Sequence, residues 1–191
     1  MKRFLPLLML FSLLLAVPTG AEAGKLKLDK VHSSVRFQLR HFFTKFQGGF
    51  DRFDAKFEFD AKKIKATKLS ATVFVNSVNT NNKKRDGHLV APDYFDGKKY
   101  AKMTFKSTKV TKVQGKTFWL AGKLTIRGTT KNVTFKVKFL GEMKKKDRWG
   151  NIRSGFQATA TINRVAFGVG SKSLALGSKV KIILNVEMLR R

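Results

Sequence analysis

The sequence predicts an all-β protein: an antiparallel barrel of about eight strands with one short helical lid segment. Three observations point there. Apolar and polar residues alternate with a period of two through most of the 191 residues. Turn-forming residues recur between those segments at regular spacing. Nowhere do helical and strand patterns alternate as a parallel sheet requires. A two-sheet sandwich would meet the same single-face pattern, and alternation alone does not separate the two. Size favours the barrel, because eight strands close around an interior that either fills with side chains or holds one small ligand. Closure also leaves no exposed edge.

The chain opens with residues 1–23, which read as a cleaved signal peptide. Lys2 and Arg3 give the positive start, residues 4–17 the apolar run, and Ala21-Glu22-Ala23 the small-residue cleavage site. Residues 24–191 then form a single domain of 168 residues, enough for a good core. There is no Cys, so neither a disulfide nor thiolate chemistry is available.

In the first strand region Lys25-Leu26-Lys27-Leu28 alternates, and Val31, Ser33, Val35, Phe37, Leu39, His41 and Phe43 continue one face. Gly48-Gly49 is expected to break it. Phe53, Ala55, Phe57 and Phe59 mark the next strand; Leu69, Ala71, Val73 and Val75 mark a third. Met103, Phe105 and Ser107 share a face, and Gln114-Gly115-Lys116 turns the chain toward Phe118, Leu120, Gly122, Leu124 and Ile126. After the turn Arg127-Gly128-Thr129-Thr130 comes the clearest strand, Val133 through Phe139, with Phe135 inside and Lys136 and Lys138 outside. Ile152, Ser154, Phe156, Ala158, Ala160 and Ile162 share the next face, and Val180, Ile182, Leu184, Val186 and Met188 the last.

Residues 76–96 interrupt the alternation. Asn81 or Asn82 can cap a helix over Lys83 to Val90, accepting from its orphan amides. A lone helix in an all-β sequence reads as the cover of whatever the strands enclose. Leu89 and Phe95 are then expected to face the interior. Arg85, Asp86 and His88 would anchor the segment to the rim, with Asp86 pairing Arg85 or a neighbouring base and His88 donating to a backbone carbonyl.

The interior is expected to be aromatic, since the chain has eighteen Phe and many fall at inward positions. Those Phe either fill a core or line a ligand site. Ser33, His41 and Ser107 stand in phase with the apolar residues, as sparse polar groups do in a ligand pocket. The ligand-lining candidates are Val35, Phe37, Leu39, His41, Phe57, Val73, Val75, Leu89, Phe95, Phe105, Phe135, Phe156 and Ile162.

Forty Lys and Arg against twelve Asp and Glu give a net charge of +28, or +27 once Lys2, Arg3 and Glu22 are removed. Such a surface favours anionic partners, including membrane surfaces. A basic module for anionic glycan or nucleic acid, built on a filled core, is the competing reading. Nucleic-acid modules expose aromatics beside cations for stacking, whereas here Phe alternate inward and Lys outward, so no nucleic acid is expected. His32, His41 and His88 lie at no metal-ligand spacing, so no metal is expected. No nucleophile elbow, phosphate loop or dinucleotide fingerprint is present, and neither a cofactor nor catalysis is expected. Nothing in the sequence sets the oligomeric state.

A set of short motifs runs in order along the whole mature chain. It includes Asp29-Lys-Val-His-Ser-Ser-Val-Arg-Phe37, Ser77-Val-Asn-Thr80, Arg85-Asp-Gly-His-Leu89, Phe105-Lys-Ser107, Gly122-Lys-Leu-Thr-Ile-Arg-Gly128, Ile162-Asn-Arg164 and Phe167-Gly168. In that order they resemble the YceI-like, polyisoprenoid-binding family of bacterial periplasmic proteins. The resemblance implies an elongated, lipocalin-like antiparallel barrel that holds a long isoprenoid or acyl chain in its pore and performs no catalysis. It also implies a periplasmic location and a long-chain isoprenoid or other amphiphilic lipid as partner.

Overall fold

In the computed structural model, residues 25–191 are described. The signal peptide expected at residues 1–23 lies outside the described residues. The elements are β1 Lys25–His41, β2 Thr44–Phe50, β3 Phe53–Glu58, β4 Lys68–Phe74, β5 Val78–Asn79, α1 Lys83–Val90, β6 Lys102–Gln114, β7 Thr117–Ile126, β8 Thr129–Glu142, β9 Ile152–Asn163 and β10 Leu176–Arg190.

All pairings are antiparallel, in the order β10-β9-β8-β7-β6-β4-β3-β1-β2-β5, and β10 also pairs β1. That last pairing closes the barrel. The ten segments make eight staves. Both β2 and β3 lie along one side of β1, through Arg36↔Gly49 and Leu26↔Phe57. In the same way β4 and β5 lie along them, through Ala55↔Ala71 and Gly49↔Asn79. Most of the wall is thereby paired on both sides, while β2 over residues 44–48 pairs β1 alone and β5 pairs β2 alone.

The staves follow the alternation read from the sequence. In β7, Phe118, Leu120, Gly122, Leu124 and Ile126 are all buried. The turn into β8 holds Arg127 and Gly128 at φ 48° and 71°, a left-handed pair that matches the twist of the strands it joins. Lys106, Lys136, Lys138 and Lys181 are exposed.

One stave departs from it. Between the pairs Asp29↔Glu187 and Ser34↔Asn185, residues 30–33 of β1 stand against Val186 alone on β10. This bulge shifts the phase. Leu26 and Leu28 are buried before it; after it the odd-numbered Val35, Phe37 and Leu39 face inward. Val31, expected inside, is 86% exposed because it sits in the bulge. Ser33 accepts the Glu187 N–H at 3.0 Å, and so mends the broken ladder rather than facing the interior. Phe43, also expected inside, is exposed at the tip of the β1–β2 hairpin. Ser107 behaves like Ser33: at an irregularity in β6 its Oγ accepts the Leu69 N–H at 2.8 Å.

The expected break at Gly48-Gly49 is instead the interior of β2. A Cβ on Gly48 would stand 2.5 Å from the Phe37 ring and 2.8 Å from the Thr80 methyl. The glycine is there for close approach, not for a turn.

One end of the barrel is stoppered by aromatic rings. Phe59, just past β3, packs its ring 4.9 Å from Phe156, 5.0 Å from Phe139, 5.8 Å from Phe57 and 6.1 Å from Phe118, centroid to centroid. All five are buried. They lie where β6 turns into β7 and β8 into β9; the β3–β4 connection continues from Phe59 at this end, and its 3-10 turn Ile64–Ala66 packs Ile64 against the core.

Candidate functional site

Above the aromatic stopper the barrel is hollow. A cavity of about 570 Å³ runs from Phe57 and Phe156 at its floor to α1 and the residue 173–176 segment at its mouth. That volume falls within the range of about 300–1,000 Å³ typical of small-molecule sites. Phe therefore do both things the sequence allowed, filling one end and lining the rest.

Of the thirteen lining candidates, twelve surround this space: Val35, Phe37, Leu39, His41, Phe57, Val73, Leu89, Phe95, Phe105, Phe135, Phe156 and Ile162. Val75 does not. The β4 alternation stops at Phe74, and Val75 opens a 3-10 turn, Val75–Ser77, where it is fully buried outside the cavity. The sequence reading passed over Phe46 and Phe50, because the two glycines between them looked like a break. It also left out Val180, Ile182 and Leu184 of β10, whose alternation was the available signal.

The cover forms as its capping residue dictates. Asn82 Oδ1 accepts the Arg85 N–H at 3.0 Å and starts α1. Leu89 and Phe95 look into the cavity, and Phe95 meets the Phe50 ring edge-on at 5.8 Å. The anchoring differs from the expectation. Asp86 forms no ion pair with Arg85; both side chains converge on Thr80. Asp86 Oδ1 accepts from the Thr80 N–H at 2.9 Å and from its hydroxyl at 2.5 Å. Arg85 Nε donates to Thr80 Oγ1 at 2.8 Å and Nη2 to the Thr80 carbonyl at 2.7 Å. The guanidinium also lies 4.5 Å over the Phe46 ring. His88 Nε2 meets Asp93 Oδ2 at 3.1 Å instead of a backbone carbonyl. Beyond α1, Arg127 donates to the Pro92 and Gly168 carbonyls and straps the following turn to the barrel.

Polar side chains gather at the mouth: His41, Arg85, His88, Tyr94 and Ser173. Arg164, one residue of a motif to which sequence reading gave no role, is buried beside them. Its guanidinium donates to the carbonyls of Val169, Ser171, Leu176 and Gly177 and so shapes the β9–β10 connection. Burial lowers its pKa below the usual arginine value, with Tyr94 acting in the opposite sense.

The charged cluster at the stoppered end has a different character. Arg153 bonds Asp29 at 2.7 Å, Asp147 at 2.9 Å and Glu187 at 3.2 Å. Burial of Asp29 opposes its ionisation, but the hydrogen bonds from His32 and Arg153 outweigh that and hold its carboxyl down at about 2. Asp29, His32 and Glu187 bring ligand-type atoms within 4.8 Å of one another. Arg153 Nη1 already contacts both carboxylates, so the chain's own cation occupies the anionic centre.

Comparison with known proteins places this architecture. A YceI-like domain model matches residues 26–188. A UPF0312 protein of Pseudomonas paraeruginosa is 37% identical over 174 residues, 90% of each chain. The crystal structure of Burkholderia cenocepacia BcnA superposes with a TM-score of 0.77 at 25% identity, covering 84% of this chain and 98% of that one. A polyisoprenoid binding domain from Saccharophagus degradans shares the fold at a TM-score of 0.61 and 14% identity, over 90% of this chain and all of that one.

Proposed function

The chain belongs to the YceI-like family, and from that premise we propose that it is a periplasmic lipid-binding protein. It holds a long isoprenoid-like or acyl chain in the barrel, for carriage, storage or sequestration, and catalyses no reaction. The observation that carries the reading is the hollow apolar interior, closed by phenylalanines below and covered by α1 above. Burying such a chain yields about 0.8 kcal/mol per CH₂, so a long tail needs no strong polar anchor. The fold neighbour from Saccharophagus is itself described as polyisoprenoid binding, which supports the choice of ligand class. The segment of α1 acts as a gate, since Leu89 and Phe95 cover the tail while Arg85 and Asp86 fix the helix to Thr80. The amino-terminal signal sequence supports the periplasmic location.

Native mass spectrometry of protein purified from a periplasmic extract, followed by organic extraction, tests the proposal. A non-covalent adduct that extracts as an isoprenoid or acyl lipid is the expected result. Protein that carries no adduct, and takes up neither a polyprenol nor a fatty acid when offered them, overturns it.

A further inference from the structure

We infer that the open end of the barrel docks on anionic bilayers through Phe42, Phe43 and Leu174, so that the lipid passes between leaflet and cavity without crossing water. The inference rests on the lipid-binding reading above. Phe42, Phe43 and Leu174 are 53%, 100% and 96% exposed. Two of them form the whole turn of the β1–β2 hairpin, where His41 pairs Thr44. Two-residue hairpin turns need a left-handed backbone at the first position or at both, which favours Gly, Asn or Asp there. Here Phe42 adopts φ 45°. An aromatic side chain is thus held in an unfavourable backbone conformation and left in water.

The third residue belongs to a different loop, and the structure ties the two loops together. Phe42 N–H donates to the Ala175 carbonyl at 2.6 Å. Arg40 clamps both tips, Nη1 on the Phe42 carbonyl at 2.6 Å and Nη2 on the Leu174 carbonyl at 3.0 Å. Directly behind them, His41, Ser173 and Ala175 line the cavity. The apolar tips are therefore the lip of the cavity mouth.

Charge selects what they meet. Residues 36–50 and 163–186, which build this side of the mouth, contain no Asp or Glu. The exposed Arg40, Lys45, Lys172 and Lys179 take part in no ion pair among the described residues. Cations around an apolar lip suit an anionic lipid surface, the first by attraction and the second by insertion. A second copy presenting the same lip would bring like charges together, which disfavours a dimer through this face. At the stoppered end the exposed aromatic, Trp149, is instead covered by Arg148 at 4.1 Å and Arg153 at 5.7 Å.

The test compares the wild type with the triple variant Phe42→Asn, Phe43→Gly, Leu174→Ser. Asn tolerates the left-handed backbone at position 42 and Gly any backbone at 43, so the variant is expected to fold. Far-UV CD and solution binding of a pyrene-labelled fatty acid establish that the barrel and cavity are intact. Flotation is then measured with mixed phosphatidylglycerol–phosphatidylcholine vesicles and with phosphatidylcholine alone. The wild type should float with the mixed vesicles, and the variant should lose at least about tenfold in partitioning while keeping its affinity for the probe. The pair Lys45→Glu, Lys172→Glu should lose about tenfold or more on mixed vesicles only. Variant flotation within twofold of wild type overturns the inference, as does a wild type that forms a dimer the variant lacks while flotation is unchanged. If the wild type fails to bind the probe in solution, the lipid-binding reading falls, and flotation of the unloaded protein still judges the docking surface separately.

Discussion

Removing the Asp86 carboxylate should release the cover while leaving the barrel standing. In Asp86→Ala the Thr80 N–H loses its acceptor at 2.9 Å and the Thr80 hydroxyl loses its acceptor at 2.5 Å. Thr80 is buried, so water does not readily replace either bond. A hydrogen bond to a charged partner contributes about 1.5–3 kcal/mol, and two that share one oxygen do not add fully. The closed cover should therefore lose about 2–3 kcal/mol. At about 1.4 kcal/mol per tenfold, release of a bound lipid through the open cover should accelerate about 30- to 140-fold. Asp86→Asn keeps a side-chain oxygen for the Thr80 N–H and should accelerate release far less. The assay is stopped-flow transfer of a pyrene-labelled fatty acid from preloaded protein to acceptor vesicles, with far-UV CD and thermal melting as controls. Lys84→Ala, on the exposed side of the same helix, is the comparison. Unchanged release from a folded Asp86→Ala protein would refute the reasoning, and so would equal acceleration by Lys84→Ala. Global unfolding of Asp86→Ala would make the carboxylate a fold determinant rather than a latch.

Other expectations follow from the same contacts. Gly48→Ala places a methyl 2.5 Å from the Phe37 ring and should cost about 1–3 kcal/mol, seen as a lower Tm in calorimetry; an unchanged Tm would show that β1 and β2 have room to spare. Phe59→Ala removes the ring at the centre of the stopper and should cost about 3–5 kcal/mol in urea unfolding, a loss under 1 kcal/mol being incompatible with the packing described. Asp29 has a folded pKa of about 2 against an ordinary 3.8, so its carboxylate stabilises the protein above about pH 4. That contribution, about 2 kcal/mol, is lost as pH falls from about 4 through 2, and Asp29→Asn should flatten the acid limb of the stability curve. An acid limb identical to the wild type would refute this.

The staves and the helix were legible because their signals are local. Period-two alternation marked the inward set from Phe105 to Ile162, and the Asn82 cap lies within three residues of the amide it serves. What stayed hidden was set by partners far along the chain. The bulge at residues 30–33 is defined by its pairing with β10, which no window around Val31 contains. Gly48-Gly49 looks like punctuation until the ring of Phe37 and the methyl of Thr80 are placed beside it. Ser33 and Ser107 share the parity of the lining residues, yet each serves a backbone amide at a fault in the ladder. The role of Thr80 was likewise unreadable, since its two partners sit in the helix it precedes and the apolar pattern says nothing of hydroxyls.

The phenylalanine stopper has a consequence for traffic. A tube blind at one end has a single doorway, so an arriving lipid has no way to push the resident out of the far side. Exchange must then be sequential: the occupant leaves, and only afterwards does the newcomer enter. Raising the concentration of a competing lipid should bring the exchange rate to a plateau set by the first departure. The same geometry forbids the protein from spanning two membranes as a conduit. On the proposed lipid-binding reading, loading and unloading would use one face, with a tail lying toward Phe57 and Phe156; a barrel moving lipid between two membranes would have to let go of the first, turn, and present that face again.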